Sequence, residues 1–438
     1  MLTLNKFFIG VFMTSLTATL SGQGDPNILL VEQCETPQAA LKQVYPDYVS
    51  DSELHYDTFK MLEVTLKDGR KFARIYPKGR GMGEYRGVEA LKGRFPVIPV
   101  EKVIVGKDFE LIVHPYHSPQ IRKIAHLFHH VVLMVCEGKD CTPLIRTVYA
   151  DALKVHKDTM AWKAQPSRNA HFFYNRLLAE GRLETIYKNQ TLLNTPWEKF
   201  KTMHWTIDGV EYKETLAELL ANAKVALDPT HPRLFGLSHG DPHENNIVVK
   251  PEGMSVPYAY THAEFGGEND LLTDAMMTLL YTTVYGDYLD AVFHRDHYEH
   301  NLKIDEYITK TKQNKAHPVT VNRQDDQFVI SDAGAFGTLK TRKELAALFI
   351  NEYFDPLLAA ANAKFIDNRD AAIQKNMRES MENTLKAGIL LRLIAGSDIS
   401  KKPPNDQAKI FVLVYKTLGT PKSGATNERA VTRLMNAL

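Results

Sequence analysis

Ten residues near the middle of the chain, Leu237 to Asn246, read Leu-Ser-His-Gly-Asp-Pro-His-Glu-Asn-Asn and run straight into the apolar stretch Ile247-Val248-Val249. Acids, amides and imidazoles packed around one glycine make a loop at the head of a strand. Asp, Asn and Gly are ordinary turn residues, so a single loop of this kind could do no more than satisfy its own backbone. Sixteen residues after Asn246 a second block begins, His262-Ala263-Glu264-Phe265-Gly266-Gly267-Glu268-Asn269-Asp270-Leu271-Leu272-Thr273-Asp274. Between the blocks, Ile247 to Val249, a Pro251-Glu252-Gly253 turn and Pro257 to Thr261 spell strand, turn, strand. That pattern returns residue 262 to the side of Asn246.

The order His-Gly-Asp-x-His-x-x-Asn, followed by x-x-Glu-aromatic-small-Gly-x-x-Asp-x-x-x-Asp, resembles the aminoglycoside/choline-kinase branch of the protein-kinase-like phosphotransferases. The family places Asp at the head of the second block, and here that residue is His262. The resemblance implies an α+β, bilobal protein-kinase-like fold, with a small β-rich N-lobe and a mostly helical C-lobe. It also implies ATP-dependent phosphorylation of a hydroxyl on a small molecule, with Mg or Mn as the accompanying ion. Asp241 would then orient or deprotonate the acceptor, and Asn246 would offer its amide oxygen to the metal. His262 and Glu264 would complete the metal set, and Asp270 or Asp274 would accept backbone N–H groups of the loop, with plain capping of the helix that follows as the alternative. Hard cations prefer oxygen donors, whereas imidazole suits zinc, copper or nickel. His262 therefore also admits the alternative of a catalytically inactive relative that binds a nucleotide or ligand in a regulatory role.

Upstream, from about residue 57 to 117, the periodicity is that of short strands. Phe59 to Leu66 and Lys71 to Tyr76 flank Asp68-Gly69, a hairpin turn signal. A helix follows from Glu84 to Leu91, then strands at Val100 to Val105 and Phe109 to Val113. By the same resemblance Arg74 takes the place of the strand lysine that steadies nucleotide phosphates, with Glu84 or Glu89 as its helix partner. Equally, Arg74 reads as an exposed strand cation. Gly79, Gly81 and Gly83 lack the Gly-Lys-Ser/Thr ending of a P-loop and read as a flexible connection. Residues 118–438 carry helical periodicity on either side of the loop at 237–249, with Trp162, Trp197 and Trp205 as packing residues or an acceptor-site wall. A polar, irregular insertion near 301–340 contains a hairpin signal at Asp325-Asp326.

Lys+Arg 53 against Asp+Glu 52 leaves no basic excess, so no nucleic-acid polymer is expected as partner. The expected partners are a nucleotide and a small hydroxyl acceptor. Three cysteines exclude a disulfide scaffold, although Cys136 and Cys141 would bridge in an oxidising compartment. Residues 1–22 combine Lys6, an apolar run from Phe7 to Leu20 and a small-residue exit, the pattern of a signal peptide. This points to an exported or periplasmic protein, with the cytoplasm as the alternative, and residues 23–56 form an extension ahead of the lobe. The apolar run is too short for a stable membrane span.

Overall fold

The computed structural model describes residues 25–56, 59–115, 126–136, 138–167, 173–178, 181–250, 254–284, 319–332, 340–396, 398–424 and 428–438. The signal-peptide region, most of the 301–340 insertion and the side chain of Cys136 lie outside these, and with them the expected Cys136–Cys141 bridge. The chain divides into two compact units, Met1–Met82 with Val100–Pro115, and Gly83–Pro99 with Tyr116–Leu438. The first is β-rich and the second mostly helical, the α+β division expected from the sequence.

In the first unit the elements are β1 (Ile28–Leu30), α1 (Pro37–Val44), β2 (Tyr48–Tyr56), β3 (Phe59–Leu66) and β4 (Gly69–Pro77). Helix α2 (Gly81–Leu91) begins here and continues into the second unit, and β5 (Lys102–Val105) and β6 (Phe109–Pro115) complete the sheet. Its six strands run β1-β5-β6-β4-β3-β2. Residues 28–56, read above as an extension, thus supply both edge strands and α1. Their short apolar runs gave no strong period, yet Ala40, Leu41 and Tyr45 of this stretch share one core with Leu62, Val64, Ala73, Leu111 and Val113. The β3–β4 hairpin closes with Leu66 opposite Gly69, one residue earlier than the Asp68-Gly69 turn.

Alternation along β4 sends Ala73 into that core and Arg74 to the opposite face. Arg74 is nonetheless buried, 3% exposed, which removes the exposed-cation reading. Its Nη1 lies 3.3 Å from Tyr76 Oη. The glycine-rich stretch is also not a flexible connection. Glu110, itself buried, accepts backbone N–H groups from Gly79 at 2.9 Å and Met82 at 3.0 Å, so one carboxylate fixes the turn into α2.

The second unit takes in α3 (Leu127–Cys136), α4 (Thr142–Thr159), β7 (Ala161–Lys163), β8 (His204–Ile207), α5 (Leu216–Ala226), β9 (Arg233–Ser238), β10 (Ile247–Val249), β11 (Tyr258–Tyr260) and β12 (Gly267–Asp270). These are followed by α6 (Leu271–Leu280), β13 (Val319–Gln324), β14 (Gln327–Asp332), α7 (Lys340–Phe349), α8 (Ala371–Ala395), α9 (Pro404–Leu418) and α10 (Ala430–Ala437). A capping box of Thr215 and Glu218 starts α5, and Asp370 caps the 25-residue α8. Helix α6 is buried all round, and α8 lies against it and against α5. Strands β13 and β14 form the hairpin expected at Asp325-Asp326, and β14 pairs in parallel with β8. Trp197 and Trp205 are packing residues: they are fully buried with Phe200, Phe328, Phe411 and Tyr415 in one aromatic cluster. Among the described residues no helix is long and apolar enough to cross a membrane.

Candidate functional site

Two strand pairs bring the polar blocks together. In one, β9 pairs with β12, with Ser238 opposite Gly267. In the other, β10 pairs with β11, with Ile247 opposite Tyr260. The loop 239–246 leaves β9 and enters β10, while residues 261–266 leave β11 and enter β12. The register therefore lays one loop beside the other, and Thr261 N donates to Asn246 O at 2.9 Å.

His239 stitches the two loops. Its Nε2 lies 2.9 Å from the Thr261 carbonyl, its Nδ1 accepts from Asp241 N at 3.3 Å, and its ring stacks on Tyr260. That pattern requires the neutral, Nε2-protonated tautomer, and burial holds the imidazole pKa down to about 4. Gly240 turns the chain at φ +84, where a Cβ would meet Phe265 Cβ at 2.5 Å and Phe265 O at 2.6 Å. Only glycine fits there.

Asp241 follows, partly exposed. Asn246 Nδ2 donates to Asp241 O at 2.9 Å and to its Oδ2 at 3.3 Å, and His243 Nε2 lies 3.3 Å from the same Oδ2. Burial works to raise the Asp241 carboxyl, but the His243 charge and hydrogen bond, with Arg392 and His239 behind them, hold it well below the usual carboxylate range. Asp241 is an anion here. Because acceptors surround the Asn246 amide on this side, its N–H group faces Asp241.

The support beneath the loop is a stripe on α6 and its continuation, headed by Asp274, one of the two acids expected to accept the loop's backbone N–H groups; sequence reading missed Thr278, Tyr281 and Thr282. Asp274 Oδ2 accepts from Gly240 N at 3.0 Å, and Thr278 Oγ1 donates to Pro242 O at 3.1 Å. Tyr281 stacks under His243 with centroids 4.6 Å apart and receives the Asn245 amide, and Thr282 Oγ1 donates to Glu244 at 3.1 Å. Positions 274, 278, 281 and 282 lie on one helical face. Their signal was a polar stripe at helical spacing inside an otherwise apolar segment. Asp270 does a different job: it caps α6 through Thr273 N at 2.8 Å and pairs with the buried Arg233 at 3.4 Å.

The second block bends. His262 is left-handed (φ 60, ψ 42) and Ala263–Phe265 form one 3-10 turn, so this part of the block is not extended. The bend is set by α2, whose Gly87 would carry a Cβ only 1.6 Å from Ala263 O. Of the two acids considered on α2, Glu84 is buried, whereas Glu89 is on the surface beside Lys92 at 3.2 Å. Among the described residues no group of three or more His, Cys, Asp or Glu side chains could hold a metal ion.

No family model and no curated protein matches the chain. Solved structures align with it at low identity. An aminoglycoside-3'-phosphotransferase of type VIII is 12% identical over 73% of this chain and 98% of its own, with a TM-score of 0.35. Choline kinase from Cryptosporidium parvum Iowa II is 10% identical over 84% and 89%, with a TM-score of 0.37. A spectinomycin phosphotransferase, solved with ADP and spectinomycin, is 11% identical over 85% and 97%, with a TM-score of 0.36. Superpositions this loose leave the functional reading to the chain's own geometry.

Proposed function

We propose that the chain is a kinase-like module that binds a nucleotide or a related phosphorylated ligand and transfers phosphoryl groups weakly or not at all. The observation that carries this reading is the residue at the head of the second block. Where the resembling family has a carboxylate, this chain has His262. Magnesium takes oxygen donors in near-octahedral order. An imidazole in place of a carboxylate fits that ion poorly and leaves the Asn246 amide oxygen as the donor that remains, so no catalytic step is derived through it. Asp241 keeps the ionised state that orients a hydroxyl, which is why the loop still suits recognition of a polar ligand. Phosphoryl transfer rests almost wholly on positioning and charge neutralisation, so losing a metal carboxylate removes turnover before it removes binding.

The test is calorimetric titration of the full chain with ATP and ADP, with magnesium, with manganese and with neither, followed by turnover assays against small hydroxyl acceptors. Binding without magnesium-dependent turnover supports the proposal. Full turnover with magnesium restores the phosphotransferase reading, and no nucleotide binding under any condition removes both.

A further inference from the structure

Behind the loop, wholly within the second unit, the packing leaves a cavity of about 30 Å³. Phe95, Val148 and Phe349 give it apolar walls, and His156, Tyr353 and Asp274 stand among them. His156 is buried, and its Nδ1 lies 2.8 Å from Tyr353 Oη. The ring sits between Phe95 and Tyr353, with centroids 5.9 and 5.7 Å away. Its Nε2 has no hydrogen-bond partner among the described residues.

Burial holds the His156 pKa down to about 3, so near neutral pH the ring carries one N–H and one bare nitrogen. Whichever nitrogen bears the proton, Tyr353 satisfies one and the other is left over. Native interiors do not leave such atoms unpaired. A water needs about 10–15 Å³ of this kind of space and two or more polar partners. The cavity has the room, and His156, Tyr353 and Asp274 all line it. Burial raises the Tyr353 hydroxyl well above its ordinary range, and the charges of Asp274 and Tyr260 add to the effect.

We infer that this cavity is a built hydration site, in which one or two ordered waters join His156 Nε2 to the polar groups around Asp274, the carboxylate that holds Gly240. His156 and Tyr353 are then positioning residues for the loop, acting through water and Asp274 rather than on any ligand. The inference does not depend on what the loop binds.

A high-resolution crystal structure of the wild-type chain tests the site directly. Ordered water within about 3 Å of His156 Nε2 is expected, and a dry cavity overturns the inference. His156→Phe keeps the ring contacts but removes both nitrogens. It should lose the water and speed amide hydrogen exchange at Gly240 and Asp241 about two- to tenfold, the range set by one net hydrogen bond. Exchange within α9 should not change, which separates positioning from general loosening. Unaltered exchange at Gly240 and Asp241 overturns the positioning role. If His156→Phe does not fold, Tyr353→Phe serves with the same readout, and the wild-type crystal decides the site without either variant.

Discussion

His262 combines two properties that sequence alone kept apart, a chemistry and a backbone shape. Its left-handed conformation costs a residue with a Cβ on the order of 1 kcal/mol, and Asn, Asp and His bear it better than most. His262→Asp should therefore fold with a melting temperature close to wild type, which thermal unfolding would show. It also restores a hard oxygen donor one residue after Thr261, whose N–H bonds Asn246 O. Nucleotide binding by this variant is expected to become magnesium-dependent, with turnover appearing or rising, and manganese should help the wild type more than magnesium does. Should the wild type already turn over fully with magnesium and the Asp variant gain nothing, His262 is not the weak point. The two acids of α6 give a second contrast. Asp274→Ala leaves the buried Gly240 N–H without its acceptor, at about 1–3 kcal/mol. Asp270→Ala removes a cap and strands a buried Arg233, about 3–5 kcal/mol. Urea unfolding should rank Asp270→Ala as the more damaging. Asp274→Ala should be the one that weakens ligand binding, since it releases the loop.

At the scale of elements, what could be read in advance followed local rules. The strand-turn-strand between the blocks, the hairpin at Asp325-Asp326 and helices such as α5 with its capping box are all written in short-range pattern. The pieces that could not be read depend on distant partners. Strand β7 is only Ala161–Lys163, too short for any period, and it exists because Leu234 of β9 lies opposite Trp162. The turn into α2 looked loose in sequence because its fixing carboxylate, Glu110, is thirty-one residues from Gly79. Asp274 could be read in advance, but Thr278, Tyr281 and Thr282 under the loop were hidden because α6 is buried on every side and reads as an apolar helix. The same long-range logic makes Gly87 a sharp probe. A methyl there meets Ala263 O at 1.6 Å, backbone against backbone, and cannot be absorbed by a side-chain turn. Gly87→Ala should destabilise the chain by about 1–3 kcal/mol, the usual cost of overpacking, and perturb the 262–266 turn. An alanine variant with wild-type stability and unchanged amide shifts at Ala263 and Glu264 would mean that α2 can withdraw freely from the block.

Across the whole molecule the units are not consecutive segments, since Gly83–Pro99 is set apart from the rest of its unit by β5 and β6. It is not dispensable there: Ile98 N donates to Tyr260 O at 2.8 Å, Tyr260 N to Pro96 O at 2.7 Å, and Phe95 packs on His156 and Tyr260. A chain of residues 116–438 should for this reason unfold less cooperatively than one of residues 83–438, as calorimetry would report. The same buried region sets how stability responds to acid. His239 and His156 have pKa values lowered to about 4 and about 3, in both cases chiefly because burial penalises the charged ring. In the unfolded chain both return to about 6.5. Between these limits the unfolded state binds more protons than the folded one, so their contribution to stability is complete above about pH 6.5 and is lost as pH falls toward the folded values. Each histidine then costs roughly 1 kcal/mol per pH unit. The Asp241 carboxylate, also depressed, adds to the loss only at lower pH, below its unfolded value of about 4. Asp270, raised by burial despite Arg233, acts in the opposite sense, and its window lies above about pH 4, from the unfolded value up toward the raised folded one. Across the interval from pH 6.5 to 5 the two histidines together should lower the unfolding free energy by roughly 3 kcal/mol, with His130, also held down by burial and by Lys250, adding to the fall and Asp270 offsetting part of it. His239→Gln should remove about half of the part due to these two histidines, and combining it with His156→Phe should remove nearly all of that part, leaving the contributions of His130 and Asp270. If urea midpoints for the wild type are level from pH 7 to 5, neither imidazole is buried in its neutral form, and the tautomer that ties the two loops together is wrong.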